Sequence, residues 1–477
     1  MIKSYEELVG ALGREQRFRR RRFGAHELFS GAPPILFFDD LPFELKNISG
    51  SGVGATTRNE IDGPLLQINH IGTLRLVQHG EELFRGPARC ARSEGLPGRV
   101  FSGFALDNDQ FDLESLKRLN ARVVAKSHFR LTTHDALAVE YRAFCSDVIA
   151  FVGAHCMRIE RLLVPIEQSM TPADKIEVFG ELMDAVKSDW RALLQKGNEF
   201  ALGVRHEKSR MAAMKQYTEA AVTPVLLGGA SWNRCYYKPM GYPGDFKMMN
   251  FMYDQRPEGA TIRDQFLHGL GLIAGRPIYT RMLTLSRIIT KHFEGRTQDL
   301  ERKCASIGCG PARELEHIVE ASSPQSKLVA TLIDQEFEAL DYAVDFARKR
   351  ADERRLAINA FNTTFKSMFN PSAIGALRDQ DVIYSLGLVD YFSPLLARRF
   401  VARAYDLIRP GGKVIIGNAS DSLTGTYWTM EHVLDWSLFF RNKAEMADLA
   451  ADAQGAKVSI ESDALDSIYF LVVEKPA

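Results

Sequence analysis

The chain has 477 residues, of which 45% are hydrophobic and 25% are charged, the composition of a soluble globular protein of roughly two to four domains. Its 60 basic residues balance 60 acidic ones, which excludes a global field that attracts nucleic acid. The 6 cysteines lack paired metal-ligand spacing, so we expect neither a disulfide framework nor a metal site. Because the sequence shows no signal-peptide core and no apolar run long enough to span a membrane, it predicts a cytoplasmic protein.

The first part of the chain, residues 1–110, is predicted to form an all-β domain, a small barrel. It begins with an amphipathic helical pattern and an arginine run that contains Arg17, Arg21 and Arg22. Short segments with strand-like composition follow, separated by Gly, Pro and Asp turns. These segments are HELFSG, PILFFDD, FELKNIS, GVGATTR, GPLLQIN, TLRLVQHG, GPARCARS and GRVFSGFAL.

Two motifs in this domain resemble those of the PilZ domain, whose family function is to bind cyclic di-GMP. Asn47, Ser49 and Gly52 form N-x-S-x-x-G, and Arg17 with Arg21 forms R-x-x-x-R about 26 residues upstream. Taken singly, the arginines are also compatible with a solvated basic tail, and NISGSG with a plain hairpin turn. The resemblance implies that the two arginines, or Arg22 in an alternative frame, clamp guanine edges and phosphates with their planar forks. The Asn/Ser turn would hydrogen-bond the other guanine.

Residues 111–295 are predicted to form a helical linker or cap domain, because the hydrophobic period changes from two to 3.6 residues. One helix is predicted to begin after the N-cap Thr171, with Pro172 at its first position, and to end near Leu194. The helical pattern stops at YYKPMGYPGDFKMMNFMYD, where aromatic residues accompany turn formers. This segment is predicted to be a packed functional loop, with an ordinary interhelical linker as the alternative.

Residues 296–477 alternate strands and helices and end in an antiparallel pair, which predicts a doubly wound, Rossmann-like α/β domain. The first strand, Cys304 to Ile307, leads into a Gly308-Cys309-Gly310 turn and a helix from Pro311 to about Glu320. Glycines after a strand let the backbone approach a ligand, and Asp334 at the end of the next strand could accept both ribose hydroxyls. This arrangement predicts a nucleotide site.

The segments SIGCGP, LIDQ, INAFNTT, DVIYSLGLVDYF and LIRPGGKVIIGN resemble class I S-adenosylmethionine (SAM)-dependent methyltransferases over about 297–475. An NAD enzyme is the competing interpretation, but it would favour G-x-G-x-x-G, and the turn G-C-G-P-A-R has no third glycine in that register. Ala312 stands where many methyltransferases have their third glycine, and Ser306 where they have an acid. The resemblance implies SAM as cofactor, with Gly308, Gly310 and Glu314 at its methionine end. It also implies that Asp334 binds the ribose and that Asn362 or Thr363 binds the adenine. Leu386 and Leu388 would pack along the face of the cofactor, and Ser306 and Gln335 are the remaining implied cofactor residues.

A closer resemblance, over about 137–475, is to the enzymes of 3-hydroxypalmitic acid methyl ester biosynthesis, which make a quorum signal. It rests on KPMGYPGDFKMMN, the GPARE turn and WTMEHVLDWSLFFRN. It implies methyl transfer from SAM to the carboxylate of a 3-hydroxy fatty acid or similar small acyl substrate. The candidate catalytic residues are Tyr242, Asp245, Glu431 and His432. Further candidates around the acceptor are Lys238, Tyr391, Trp428, Trp436 and Arg441.

Two other functions stay open at this stage. One is methylation of protein carboxylates, and the other is a non-catalytic effector that binds SAM and cyclic di-GMP. The sequence also leaves open a homo-oligomer, the sign of any regulation by the dinucleotide, and the identity of the methyl acceptor.

Overall fold

The structure, a computed structural model, describes residues 23–29, 33–57, 66–96, 99–106, 111–129, 137–294, 301–321, 326–350, 354–369 and 375–477. The predicted N-terminal amphipathic helix and Arg17, Arg21 and Arg22 lie outside the described residues. The chain divides into two compact units. One comprises Met1–His134 and Tyr237–Tyr242, and the other comprises Asp135–Tyr236 and Pro243–Ala477. The predicted bounds of three domains stay predictions.

The first unit contains a closed antiparallel barrel of six strands, in the order β3-β2-β5-β6-β7-β4, with β4 pairing back to β3. Alternate residues of these strands, such as Leu36 and Phe38, or Leu74 and Leu76, are fully buried inside it. The strands are β1 (Phe23–Gly24, paired to β3), β2 (Ile35–Phe38), β3 (Leu41–Ser49), β4 (Gly52–Thr57), β5 (Ile71–Gln78), β6 (Glu81–Leu96) and β7 (Arg99–Ala105).

Two predicted strands of this unit are wrong where the structure describes them. HELFSG overlaps a short helix, α1 (Ala25–Leu28), because Ala25, Leu28 and Phe29 follow the helical period and all three are buried. The described residues of GPLLQIN, from Leu66 onward, belong to no strand. A further helix, α2 (Leu113–Phe129), follows the barrel.

The second unit begins with helices, as the period of 3.6 predicts. They are α3 (Val139–Leu162), α4 (Pro172–Gly203), α5 (Lys208–Ala221), α6 (Thr223–Leu226), α7 (Ala230–Tyr237), α8 (Phe246–Asp254), α9 (Ile262–Ala274) and α10 (Arg276–Glu294). The predicted N-cap of α4 is present, since the Thr171 side chain accepts from the Asp174 N–H and Asp174 accepts from that of Thr171. The predicted end near Leu194 is wrong, because the buried face continues to Ala201.

The region from 262 to 293 has a continuous helical pattern that predicts one helix, but it forms two helices that meet at Gly275. Pro277 explains the interruption, because proline supplies no backbone N–H and is accommodated in the first turn of a new helix.

The second unit ends in a seven-stranded sheet with the order β10-β9-β8-β11-β12-β14-β13. The first five strands are parallel, and β14 runs antiparallel to both its neighbours. The strands are β8 (Glu301–Ile307), β9 (Lys327–Asp334), β10 (Leu356–Asn362), β11 (Gln380–Leu386), β12 (Ile408–Ala419), β13 (Lys457–Ser462) and β14 (Ile468–Glu474). The helices are α11 (Glu314–Ala321), α12 (Phe337–Arg348), α13 (Pro394–Leu407) and α14 (Lys443–Asp448).

Both faces of this sheet are covered, as expected for strands that read as continuous apolar runs. Ile383 belongs to one hydrophobic cluster, whereas its neighbours Val382 and Tyr384 belong to another on the opposite face. The helix after β8 begins at Glu314 and not at the predicted Pro311. Ala312 explains the delay, because it has a positive φ of 47° and lies outside the right-handed helical region.

Candidate functional site

The candidate site lies where the strand order reverses, between β8 and β11. The chain runs outward from β8 through β9 to β10, then returns to β11 on the other side of β8. In an open parallel sheet the crevice outside the carboxyl ends of the strands at this point is the usual ligand site. The residues that follow β8, β9 and β11 therefore define it.

The turn after β8 has the geometry that its glycines predict. Gly308 and Gly310 have φ values of 69° and 53°, which favour glycine. The N–H groups of Gly308 and Cys309 donate to the Ile333 carbonyl at 2.8 and 3.1 Å, so the turn is fixed against the end of β9. A Cβ at position 308 would lie 3.1 Å from Leu388, so a side chain there would enter the crevice.

Asp334 stands beside this turn at the end of β9. One carboxylate oxygen accepts from the Gly310 N–H at 2.8 Å, and the other accepts from the Glu336 N–H at 3.0 Å. Burial raises the pKa of Asp334, and these backbone hydrogen bonds lower it. Each oxygen keeps a second lone pair, so the fixed carboxylate can still accept hydroxyl groups.

The predicted adenine residues, Asn362 and Thr363, lie next to Asp334 at the carboxyl end of β10. The Asn362 side chain donates to the carbonyls of Asp334 and Gln335 at 3.1 and 3.0 Å. The Thr363 N–H donates to the Asp334 carbonyl at 3.0 Å. The structure therefore brings together the residues predicted for the ribose and the adenine.

Glu314, the first residue of α11, is an acid buried close to the glycine turn. It is 4% exposed and accepts from the Tyr384 hydroxyl at 2.8 Å. Burial raises the pKa of Glu314. The predicted residue Ser306 lies opposite Tyr384 in the β8–β11 ladder. Sequence analysis missed Tyr384, because a tyrosine in an apolar strand reads as core.

Two charged residues beside the crevice were also missed. Asp390, after β11, accepts from the Ala419 N–H at 2.7 Å, and burial raises its pKa while Arg281 lowers it. Arg281, on α10, lies over Gly387: a Cβ there would lie 3.0 and 3.1 Å from its two terminal nitrogens. The sequence does carry a signal for Arg281. Positions 278, 281, 285 and 288 share one face of α10, and Arg281 is the charged residue among the buried Ile278, Leu285 and Ile288.

An apolar cavity lies within the second unit. The space between its wall atoms amounts to about 330 Å³ only when the open solvent at its mouth is counted with it. Ser231 Oγ and Trp232 Nε1 donate to main-chain carbonyls of α9 at 3.2 and 2.9 Å, and Trp436 Nε1 donates to the Tyr391 hydroxyl at 2.8 Å. The cavity is lined by Ser231, Trp232, Cys235, Met248, Gly271, Ala274, Gly275, Ile278, Thr426, Thr429, Met430, Leu434 and Trp436.

The four predicted catalytic residues are not brought together in one cluster. Asp245 caps α8, accepting from the N–H groups of residues 247 and 248, and pairs with Arg234 at 2.8 Å. Tyr242 groups with the first unit. Glu431 and His432 lie in a π-helical turn, Trp428–Val433, and neither lines the cavity.

Glu431 and His432 have different surroundings within that turn. Glu431 pairs with Lys215 at 3.1 Å and accepts from Ser437 at 3.0 Å. His432 is fully buried, neither ring nitrogen has a hydrogen-bond partner, and desolvation lowers its pKa to about 3. It is therefore neutral over the physiological range, and the catalytic roles of both residues stay predictions.

Of the remaining acceptor candidates, Trp428 and Arg441 form hydrogen bonds within the protein, and Trp436 lines the cavity. Trp428 is buried and donates to the Tyr141 hydroxyl at 3.0 Å, and the Arg441 guanidinium donates to the Val389 carbonyl at 3.2 Å. Trp436 lines the cavity, and its hydrogen-bond partner Tyr391 belongs to the turn that follows β11, Val389–Tyr391. Lys238 groups with the first unit.

In the barrel, the predicted Asn/Ser motif lies on the hairpin between β3 and β4. Ser49 is 3% exposed, and its hydroxyl donates to the Gly52 carbonyl at 3.2 Å. The Asn47 side chain covers Gly54, where a Cβ would lie 2.8 Å from its amide oxygen. The Ser49 hydroxyl and the Asn47 side chain therefore both contact other residues of the same β3–β4 hairpin.

No protein-family model matches the chain, and no curated protein sequence matches it. Among solved structures it is similar to a possible exported protein from Bordetella parapertussis, at 16% identity and a TM-score of 0.38, over 61% of this chain and 97% of that one. Magnesium protoporphyrin IX methyltransferase from Synechocystis PCC 6803 with bound SAM has 10% identity and a TM-score of 0.31, over 42% and 83%.

The CurJ carbon methyltransferase is similar at 15% identity and a TM-score of 0.37, over 57% of this chain and 71% of that one. The similar structures thus include methyltransferases with different acceptors. At such TM-scores these similarities do not by themselves assign an activity to this chain.

Among the described residues, no helix is long and apolar enough to cross a membrane. Across the same parts of the chain, no group of three or more His, Cys, Asp or Glu side chains is arranged to hold a metal ion.

Proposed function

We propose that this protein is a SAM-dependent methyltransferase. The observation that supports it most is the Asp334 carboxylate, fixed by the Gly310 N–H at 2.8 Å at the carboxyl end of β9. A carboxylate at this position suits a ribose, and the glycine turn leaves room for the rest of a nucleoside. The turn is short, lies beside acidic side chains and lacks a third glycine, which favours SAM over a dinucleotide. A dinucleotide site needs a glycine-rich turn so that the pyrophosphate can lie close to the backbone at a helix N-terminus.

For the methyl acceptor, we propose the carboxylate of a 3-hydroxy fatty acid or a similar small acid. The apolar cavity supports this choice, because the hydrogen-bonding groups of Ser231, Trp232 and Trp436 are already used within the protein. A cavity that offers few free polar groups favours an aliphatic occupant. Its lining includes Met248 and Met430, whose flexible side chains adapt to irregular chains.

The chemistry proposed here demands little acid or base catalysis. Bound SAM supplies an electrophilic methyl group on a sulfonium. A carboxylate is ionised at neutral pH and needs no proton removed, so the protein has to orient it and exclude water. This agrees with the neutral, buried state of His432, which in this reaction has no proton to take.

Incubation of the purified protein with methyl-labelled SAM and 3-hydroxy fatty acids tests this function. Organic-soluble label is the expected result. Label that stays on protein would instead favour a protein carboxyl methyltransferase. No transfer, with SAM bound, would favour the non-catalytic effector.

We further propose that cyclic di-GMP binds the barrel and regulates this activity. Support comes from the closed six-stranded barrel and from the position of Asn47 and Ser49 at the end of its first long hairpin. Titration calorimetry with cyclic di-GMP tests the idea. Arg21→Ala is expected to abolish dinucleotide binding and to leave SAM binding unchanged, whereas equal dinucleotide binding by the variant would contradict it.

A further inference from the structure

Arg281 is a cation at the crevice without a carboxylate partner. None of the described residues places a carboxylate oxygen within 4.0 Å of its guanidinium, and its buried Nε has no hydrogen-bond partner. Its Nη2 instead lies 3.4 Å from the Met249 sulfur, and the phenol of Tyr253 is near. Because a half-buried guanidinium is costly to leave unpaired, this site suits an anionic ligand.

The position of Arg281 along the sheet identifies which part of a ligand it would meet. The residues proposed for the adenine and the ribose, Asn362 and Asp334, are the last residues of β10 and β9. The next strands in the sheet are β8 and β11, each about 4.8 Å further along. An extended nucleoside that continues in this direction passes the Gly308 turn and ends over Gly387, which Arg281 covers.

The other charged groups at this end, the buried acids Glu314 and Asp390, have the opposite sign, and Asp390 already accepts from the Ala419 N–H. Glu314 is buried beside the turn, and its partner Tyr384 donates only one hydrogen bond to it. Arg281 lies near enough to lower the pKa of Glu314 but does not form an ion pair with it. A buried acid and an unpaired guanidinium, held apart on two elements, complement a zwitterion, which carries one ammonium and one carboxylate.

We propose that Arg281 binds the α-carboxylate of the methionine part of SAM, while Glu314 accepts its ammonium. The assignment rests on the proposed function. Arg281 is then a positioning residue for the cofactor, and it gives the site a preference for nucleosides that carry an amino acid. The planar guanidinium can bind a carboxylate with two parallel hydrogen bonds, which lysine cannot reproduce.

Titration calorimetry with two nucleosides separates this role from a general structural one. S-adenosylhomocysteine carries the amino-acid group, and 5′-methylthioadenosine lacks it. Arg281→Met is expected to weaken binding of the first by about 10- to 100-fold, the loss of charged hydrogen bonds. Binding of the second should change by less than about 3-fold, which also reports that the variant is folded. Arg281→Lys should recover part of the affinity.

Arg287 offers a matched control on the same helix. It is exposed and pairs with Glu461 at 2.9 Å, so Arg287→Met should bind both nucleosides as the wild type does. Equal losses for both nucleosides in Arg281→Met, or no loss for either, would overturn the assignment. A wild-type protein that binds neither nucleoside would instead contradict the proposed function, and the assignment with it.

Discussion

The two halves of the candidate site are built in opposite ways. The nucleoside half, from Gly308 to Asp334, fixes the Asp334 carboxylate with backbone N–H groups and leaves the remaining lone pairs of that carboxylate free. In the acceptor half, an apolar cavity, indole and hydroxyl groups are bonded to other protein groups. If the proposed function holds, polar contacts select the cofactor, whereas shape and apolar area select the acceptor.

The largest effect is expected at Asp334. In Asp334→Asn an amide N–H would face either the Gly310 or the Glu336 N–H, and the ribose would lose a charged acceptor. Because the two ribose hydroxyls would each lose a charge-assisted hydrogen bond, we expect the affinity for S-adenosylhomocysteine to fall by at least about 100-fold. Calorimetry measures it, with the exposed Asp341→Asn as control. Unchanged affinity would show that the two halves do not differ as described.

A change in the cavity should spare the cofactor and affect the acceptor. Ala274→Leu adds three carbon atoms to the cavity wall, and displacing about two methylenes of a bound chain should lower kcat/KM for a long-chain 3-hydroxy acid about 10-fold. A short-chain 3-hydroxy acid serves as internal control and should react as before. If both acids lose activity equally, the cavity does not hold the chain.

Glu314→Gln should trade stability against cofactor binding. Because burial raises the folded-state pKa of Glu314, the folded protein binds more protons than the unfolded one between the ordinary Glu pKa and the raised value. Stability therefore falls as pH rises through that window, and at neutral pH the ionised buried acid is destabilising.

The variant should accordingly be more stable than the wild type at pH 7 and equally stable below the window, and it should bind S-adenosylhomocysteine about 10-fold more weakly. Urea unfolding from pH 4 to pH 8 and calorimetry measure the two effects. A variant that is less stable at pH 7 would indicate that the Glu314 charge is already compensated without ligand.

The smallest effect is expected at the boundary between the halves. Trp436→Phe removes the 2.8 Å hydrogen bond to Tyr391, which should lower the free energy of unfolding by about 1 kcal/mol and leave nucleoside binding unchanged. A double-mutant cycle with Tyr391→Phe should show a smaller loss than the sum of the single ones. Additive losses would mean that the bond contributes nothing.

The nucleoside half could be predicted from the sequence because local rules determine it. Glycines at 308 and 310 supply the positive φ values, and parallel strands place Asp334 beside them. Arg281 could not be assigned a role, since it enters from a helix that precedes the sheet and its partner position, Gly387, lies more than one hundred residues later. The cavity could not be predicted for the same reason, because its wall comes from four separate segments of the chain.

The errors in the fold also have local causes. The segment that contains the short helix at Ala25 is predicted as a strand, because four residues are too few to distinguish the helical period of 3.6 from the strand period of two. Helix α4 was predicted too short, although its cap at Thr171 was recognised, because tertiary packing and not a C-cap signal extends it to Gly203. The π-helical turn at Trp428 has no sequence signature that we can name.

A crystal structure of the protein with S-adenosylhomocysteine tests the central claim most directly. We predict that both ribose hydroxyls lie within hydrogen-bond distance of the Asp334 carboxylate, with the amino-acid end between Glu314 and Arg281. A nucleoside bound elsewhere, or a ribose that does not contact Asp334, would contradict it.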